Sequence, residues 1–402
     1  MVADNSSPLR TADVFVVGAG LAGAAAALGF ARAGFSAVSC GRVERGAPGR
    51  TVALMGRSIE MLRDLGVWDA IANIGAPLRT LRIVDDTGSL FAARPVEFHA
   101  SEMKLDAFGW NVENHALGDI FAAAMAAERG VARVESPVAR FAFSPDRAEL
   151  TTAEGELFAA RLVVGADGRE SPTRKAAAIA LRARRYDQSA LTVLLTHSRD
   201  HGDVSTEFHT RQGPFTVVPL PASASGFRSS LVWLMKPDEA RRRASLSNAA
   251  LAGEIETRAR GLLGTIRIEG ERGTFPMGRQ SAASLTGPRL ALVGDAAHAF
   301  PPIGAQGLNL GLRDVDGLVK AAVAARDEGR DFSGEATLSS YGAARSPDVA
   351  ARMLAVNGLN LSLLADFAPI DALRGLGLAA LANIGPLRRM VMREGLSPAL
   401  AD

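Results

Sequence analysis

The sequence predicts an α/β fold: a Rossmann-type dinucleotide-binding domain with an inserted mixed or antiparallel β-sheet and a helical C-terminal segment. Three junctions carry this reading. Asp13–Val17 is a short apolar run that passes straight into Gly18-Ala19-Gly20-Leu21-Ala22-Gly23 and an alanine-rich stretch. Leu157–Val164 is apolar and ends in Gly165-Ala166-Asp167-Gly168, and Arg289–Val293 ends in Gly294-Asp295. Strand-to-glycine junctions near both ends of the chain, with strand-rich sequence between, imply a nucleotide domain that is discontinuous.

The elements follow in order. After the first glycine turn a helix runs to Arg32-Ala33-Gly34, and Phe35–Cys40 is the second strand, which completes a βαβ unit. Arg57–Leu65 reads as a helix stopped near Gly66. Leu81–Val84 and Leu90–Ala92, joined by Asp85-Asp86-Thr87-Gly88, read as a hairpin. Leu117–Arg129 is helical, with a glycine stop at Gly130. Val138–Phe143, Ala148–Thr152 and Leu157–Val164 form a run of strands. Strands return from about Ala190 to Met235, a charged helical stretch covers Asp238–Leu263, and a long helix starts near Gly307. Beyond Gly334 the chain is helical, with proline and glycine breaks.

Composition bounds the class. At 402 residues and roughly 150 per domain, two or three domains or one interdigitated body fit. Lys and Arg total 45 against 43 Asp and Glu, so the net charge of +2 supports no nucleic-acid partner. A single cysteine, Cys40, excludes an internal disulfide and a multi-thiolate zinc site. No apolar run approaches the ~18 residues of a spanning helix. The start, MVADNSSPLRTAD, lacks the basic and apolar regions of a secretory signal. The expectation is a globular protein of a reducing, cytoplasmic compartment.

The chemistry lies in the three glycine motifs. In Gly18-x-Gly20-x-x-Gly23 the glycines allow a tight turn, close approach of backbone to a pyrophosphate and close helix packing. The amides and dipole at the helix start then favour an anion. Asp167, flanked by glycines at a strand end, suits either a ribose hydroxyl or a turn that closes on its own backbone. The third motif runs from Gly294-Asp295-Ala296-Ala297-His298 through Ala299-Phe300-Pro301-Pro302-Ile303 and Gly304-Ala305-Gln306-Gly307 to Leu308-Asn309-Leu310. Here a strand delivers Asp295 to the sheet edge and two prolines fix an extended segment. Gly304 and Gly307 let backbone pass close to a flat ring, and the next helix points its N-terminal amides back into the site.

In this order and spacing the motifs resemble those of the single-component FAD-dependent aromatic hydroxylases. GDAAHAFPPIGAQGLNLGLRD is similar to the FAD segment of the ubiquinone-biosynthesis hydroxylases. Arg50-Thr51-Val52-Ala53-Leu54, Ser58 and Asn111-Val112-Glu113-Asn114 support the likeness, which covers roughly residues 12–393. It implies a p-hydroxybenzoate-hydroxylase-like fold, in which residues 1–80, 111–180 and 276–345 build the FAD domain. Residues 81–110 and 181–275 would build the substrate sheet, and 346–402 the C-terminal helices.

The resemblance also implies roles. Gly18, Gly20 and Gly23 would face the FAD pyrophosphate. Asp295 and Arg50 would reach the ribityl and phosphate region, with Gly294 at the same turn. Asp167 is implicated in FAD and NAD(P)H use. Pro302 would lie beside the isoalloxazine, with Gly304 in the same loop, and Gly307, Leu308 and Asn309 would offer backbone groups to the flavin pyrimidine. The implied activity is ring hydroxylation of a polyprenylated phenol in ubiquinone synthesis. NAD(P)H would reduce FAD, and a flavin C4a-hydroperoxide would transfer the oxygen. A hydroxylase of a soluble aromatic or polyketide, and a non-catalytic subunit of a quinone-synthesis complex, stay open beside it.

One position departs from the family. The acid that grips the adenosine ribose at the end of the second strand is Gly41 here, with Glu44 the nearest acid after it. Losing a charge-assisted hydrogen bond of ~1.5–3 kcal/mol weakens FAD binding about ten- to over a hundredfold.

Other features have plainer readings. His197, His201 and His209 fall in a polar stretch that reads as a solvated loop, and no metal site is expected. His298 has no assigned role, and Cys40 reads as inert core. Arg241-Arg242-Arg243 reads as a solvated helix face, and Phe215–Leu220 as a wall of the substrate site. The tail from Met353 to Leu396 is apolar with basic residues at Arg374, Arg388, Arg389 and Arg393. It either packs on the FAD domain or lies in a membrane interface. The second option would place the protein peripherally on the inner face of the membrane, near other ubiquinone-synthesis proteins.

Overall fold

A computed structural model of the chain describes residues 8–42, 49–89, 94–301, 306–364 and 368–396. Its first sheet follows the order Thr286–Gly287, Leu290–Leu292, Leu157–Gly165, Arg10–Val17, Ala37–Cys40, Val131–Val134. The last five of these strands are parallel. A parallel sheet is covered on both faces, which explains why Val14, Phe15, Val16, Leu162, Val163 and Val164 are all fully buried. The Leu21–Arg32 helix lies on one face, with every residue from Gly23 to Phe30 buried. Its alanines let helix and sheet approach closely. Val138–Phe143 and Ala148–Thr152 add antiparallel strands beside Leu157–Gly165.

Register sets the site. Val17 pairs with both Gly165 and Cys40, and Gly165 also pairs with Leu292. The three glycine motifs therefore leave the carboxyl edge of one sheet side by side. That edge is where open α/β sheets bind ligands.

The second sheet runs in the order His298–Ala299, Ile266–Ala282, Leu181–His197, Gly226–Met235, Gly213–Ser223, Val204–Thr210, Thr80–Asp85, Val96–His99. It is mixed, because Val204–Thr210 and Thr80–Asp85 are parallel while the other neighbours are antiparallel. Its outer face, with Leu191, Val193, Phe215, Leu231 and Trp233, is sealed by the helices Pro237–Ala244 and Asn248–Arg258. Its inner face meets the helices Glu335–Leu364 and Ala368–Asn383. A small third sheet joins Thr51–Met55, Gly109–Glu113 and Ala76–Pro77.

Four local expectations change. Thr80–Asp85 does turn back on an antiparallel partner, but the partner is Val96–His99; Leu90–Ala92 falls outside the described residues. His197 and His209 are strand residues, 3% and 2% exposed, not members of a solvated loop. Their polar neighbours misled because strands alternate faces. For the same reason Phe215–Leu220 is not one wall: Phe215 and Val217 face the outer core, and only the alternate residues face inward. Arg242 and Arg243 are not merely solvated, since both bind Glu254 and Arg243 also lies over the Trp233 ring.

Candidate functional site

Backbone demands build the first part of the site. Gly18 has a φ of +107°, and a Cβ there would meet the Ala166 carbonyl oxygen at 2.4 Å. A Cβ at Gly23 would lie 1.8 Å from the Gly18 oxygen. Side chains at these two positions would force apart the first two glycine motifs. A Cβ at Gly20 would instead project into open space. Gly20 is the N-cap of the Leu21–Arg32 helix, and no side chain caps its amides. Uncapped helix amides facing open space are suited to a phosphate group.

The third motif closes onto this turn. Gly294, at φ +58°, packs against Ala22 and Gly311, whose own Cβ would come 3.0 Å from the Gly294 Cα. Asp295 follows on the exposed side, ion-paired with Arg169 at 3.4 Å and within electrostatic reach of Arg50. Gly307, Leu308 and Asn309 occupy the first turn of the Gln306–Asp327 helix, where a Cβ at Gly307 would meet nothing within 4 Å. Pro302 and Gly304 lie outside the described residues.

Asn309 ties this helix to the small sheet. Its side chain donates to the Ala53 carbonyl at 2.7 Å and accepts from the Met55 amide at 2.9 Å. Ser58 donates to the Asn309 carbonyl at 3.2 Å. The side chain is thus spent on holding Thr51–Met55 in place. Arg50 immediately precedes that strand, and its guanidinium stacks over Phe275 on the inner face of the second sheet. Thr51 reaches Ser230 on the same face at 2.8 Å. The structure therefore brings together Gly18, Gly20, Gly23, Arg50, Gly294, Asp295, Gly307, Leu308 and Asn309, between the edge of one sheet and the inner face of the other.

Asp167 is nearby, but its carboxylate accepts from the Ser171 hydroxyl at 2.5 Å and the Thr173 amide at 2.8 Å. It closes its own turn and starts the Pro172–Ala176 helix. Two bonds leave acceptor capacity on a carboxylate. At Gly41 φ is +132°, and a Cβ would lie 3.3 Å from the Ala19 amide nitrogen. The strand end where the family's acid stands is thus shaped for glycine; Glu44 lies outside the described residues.

Two buried charged groups lock the motifs together. Arg174 is 1% exposed and donates to the carbonyls of Ala296 and Arg169, each at 2.8 Å. Asp314, fully buried, accepts from the His298 ring at 2.6 Å, the Gly294 amide at 3.1 Å and Arg345 at 2.9 Å. Burial opposes its charge, yet His298, Arg345 and the Gly294 amide hold the carboxyl below its ordinary range. His298 thus ties the loop after Asp295 to the following helix. Sequence alone could flag His298 by its place in the motif. It gave no sign of Arg174 or Arg345, which bind Ala296 and Asp314 at 122 and 31 positions' distance.

The Cys40 thiol donates to the Ser136 carbonyl, and burial with nearby Glu156 and Glu154 pushes it up to about 12. It is core, not a nucleophile. Among the described residues no group of His, Cys, Asp and Glu is placed to hold a metal ion.

These features define a class: a two-sheet flavoprotein fold whose residues suit a dinucleotide laid across the first sheet's edge. The open faces at Gly20 and Gly307, the uncapped amides and the Asp295–Arg169–Arg50 cluster all fit FAD. Residues 11–355 match the FAD binding domain family. The chain is 33% identical over 401 residues to a ubiquinone hydroxylase, UbiL, of Rhodospirillum rubrum, covering 96% of this chain and 90% of that protein. It is 32% identical over 400 residues to the 3-demethoxyubiquinol 3-hydroxylase of Escherichia coli, covering 96% and 98%. In fold it resembles p-nitrophenol 4-monooxygenase PnpA of Pseudomonas putida, with a TM-score of 0.78 at 19% identity, covering 96% and 99% of the two chains. The chain belongs to the family of FAD-dependent monooxygenases that includes the ubiquinone-biosynthesis hydroxylases.

Proposed function

We propose that this protein is an FAD- and NAD(P)H-dependent monooxygenase that hydroxylates the aromatic ring of a polyprenylated phenol in ubiquinone biosynthesis. The observation that carries the reading is the Asn309 clamp. It holds the first turn of the Gln306–Asp327 helix against Thr51–Met55, next to the inner face of the second sheet. A flat ring on that helix start faces a substrate on that sheet. FAD, when bound, supplies the activation of oxygen.

The chain's own residues do the rest. Gly18, Gly20 and Gly23 present amides to the pyrophosphate. Arg50, Gly294 and Asp295 take the ribityl–phosphate stretch, and the remaining acceptor capacity of Asp167 serves the cofactor edge. Gly307, Leu308 and Asn309 offer backbone amides to the pyrimidine ring, where they stabilise negative charge. By the family resemblance Pro302 and Gly304 would serve the same ring. The apolar inner face excludes water from the reacting atoms. On this reading residues 1–80, 111–180 and 276–345 form the FAD domain, residues 81–110 and 181–275 the substrate domain, and 346–402 the C-terminal helices.

The C-terminal helices support contact with a membrane surface, where a polyprenyl substrate resides. Leu354, Leu373 and Leu376 are 74%, 70% and 68% exposed, and Arg389 and Arg393 are exposed beside Met390 and Val391. Among the described residues no helix is long and apolar enough to cross a membrane. Such a surface would place the protein beside other ubiquinone-synthesis proteins.

The test is aerobic NAD(P)H oxidation by FAD-reconstituted protein, with and without a polyprenylated phenol, followed by mass spectrometry of the phenol. Substrate-stimulated oxidation and a gain of one oxygen atom are expected. Equal or faster turnover of tail-less phenols would move the assignment to a soluble aromatic. Failure to take up FAD would move it to a non-catalytic subunit.

A further inference from the structure

The inner face of the second sheet carries a polar group that the roles above leave unused. Glu207 and His209 stand two residues apart on Val204–Thr210, on the face opposite Phe208. The His209 ring lies 2.9 Å from one Glu207 oxygen, and Thr216 on the neighbouring strand donates to the other at 3.2 Å. The His209 side chain is 2% exposed and its Nδ1 has no partner. Glu207 is 17% exposed, and with one partner on each oxygen its carboxylate keeps acceptor capacity.

The surroundings are only partly closed. Two apolar clusters cover the inner face. One places Val356 and Leu359 against Ala190, Leu234 and Met277; the other places Leu378 against Phe98, Leu81 and Ile83. Between them Thr216, Val218 and Glu207 are only partly buried, while Phe215 and Leu231 on the outer face of the same sheet are sealed. Glu207 pairs across the sheet with Ile83 and Thr216. Ile83 packs on the same cluster as Met55, whose amide is bound by Asn309. The carboxylate thus lies on the partly buried inner face, with Asp85 beside His209 and Ile83 linking it to the cluster that holds Met55.

We propose that Glu207, oriented by His209 and Thr216, binds the phenolic hydroxyl of the substrate. This rests on the function proposed above and adds the group that selects a free phenol. A carboxylate held by one donor on each oxygen can still accept a hydrogen bond from a phenol through its remaining lone pairs. Accepting that bond raises electron density on the phenol oxygen and on the ring carbons conjugated with it. It also fixes which ring carbon faces the flavin side. A phenol ether has no proton to donate, and would leave its oxygen against a carboxylate.

The test compares binding of a short-chain polyprenylated phenol and its O-methyl ether, in detergent micelles, to the FAD-loaded protein. The readouts are the flavin absorbance change for ligand and flavin fluorescence for FAD affinity. The wild-type protein should prefer the phenol by about tenfold or more, the range for a hydrogen bond to a charged group. Glu207→Leu should bring that ratio close to one with FAD affinity unchanged. Glu207→Gln, which keeps shape and a weaker acceptor, should give an intermediate ratio and covers the case in which the leucine variant fails to fold. Equal binding of phenol and ether by the wild type, or an unchanged ratio in both variants, would overturn the assignment of Glu207 alone. FAD-loaded wild type that binds neither ligand would overturn the proposed function with it.

Discussion

Single residues decide how the loops are held. Asp314 receives three donors in a site from which water is excluded, and this is why it ionises despite full burial. Its folded pKa is depressed, so its contribution to stability is present above the unfolded carboxylate value of about 3.9 and is lost as pH falls through the folded value. Asp314→Asn removes the carboxylate that faces the His298 ring and one of the two that face Arg345, and should cost about 3–5 kcal/mol at neutral pH. Urea unfolding of wild type and variant at pH 7 and at about pH 3 checks this. The gap should narrow at the lower pH, and a constant gap would show that packing alone is at stake. No local pattern could reveal this group, because Asp314 and Arg345 lie 31 positions apart and meet only through the packing of two helices.

Secondary-structure elements decide where the cofactor meets the chain. The βαβ start was readable in full: an apolar strand, three glycines and an alanine helix each answer a local steric demand, and the structure puts them where those demands predict. The end of the Ala37–Cys40 strand is different. Gly41 adopts a φ of +132° beside Ala19, a conformation that a side chain there could reach only with strain. That strand end therefore carries no side-chain carboxylate of the kind the family resemblance leads one to expect for the adenosine ribose. Protein purified with FAD and dialysed extensively should lose flavin, recovering it when excess FAD is added back. Retention of full flavin absorbance through dialysis would mean that another group holds the ribose. The histidines of the second sheet show the limit of local reading. His197 and His209 sit among Ser, Arg, Asp and Gly, a composition typical of loops, yet strand pairing buries both.

At the scale of the whole molecule, the C-terminal helices pack over the inner face of the second sheet. The tail packs in part on the residues around the second sheet and leaves another part open. Leu378 and Met392 are buried against Phe98 and Phe108, and Arg388 grips Glu102 at 2.8 Å. On the other side Leu373, Leu376 and Met390 are left exposed. Burying these side chains in a bilayer interface contributes roughly 1.5–3 kcal/mol for each one fully removed from water. Leu373→Glu combined with Leu376→Glu should abolish flotation with liposomes containing anionic lipid. Turnover of a detergent-dispersed phenol should be unchanged, because neither residue belongs to the proposed site. Flotation equal to that of the wild type would remove these helices from the membrane reading.

By itself the sequence determined the backbone chemistry: three glycine junctions, their place at strand ends, and the family they indicate. Such features are legible because each is a demand that a few consecutive residues must meet together. Only the tertiary structure decided which side chains complete the site. Arg174 reaches Ala296 across 122 positions, Asn309 reaches Ala53 across 256, and Glu207 takes its meaning from strands and helices that close over it. Those contacts depend on sheet register and on which face of a strand is sealed. Both are settled by packing between distant segments, and no short stretch of sequence records them.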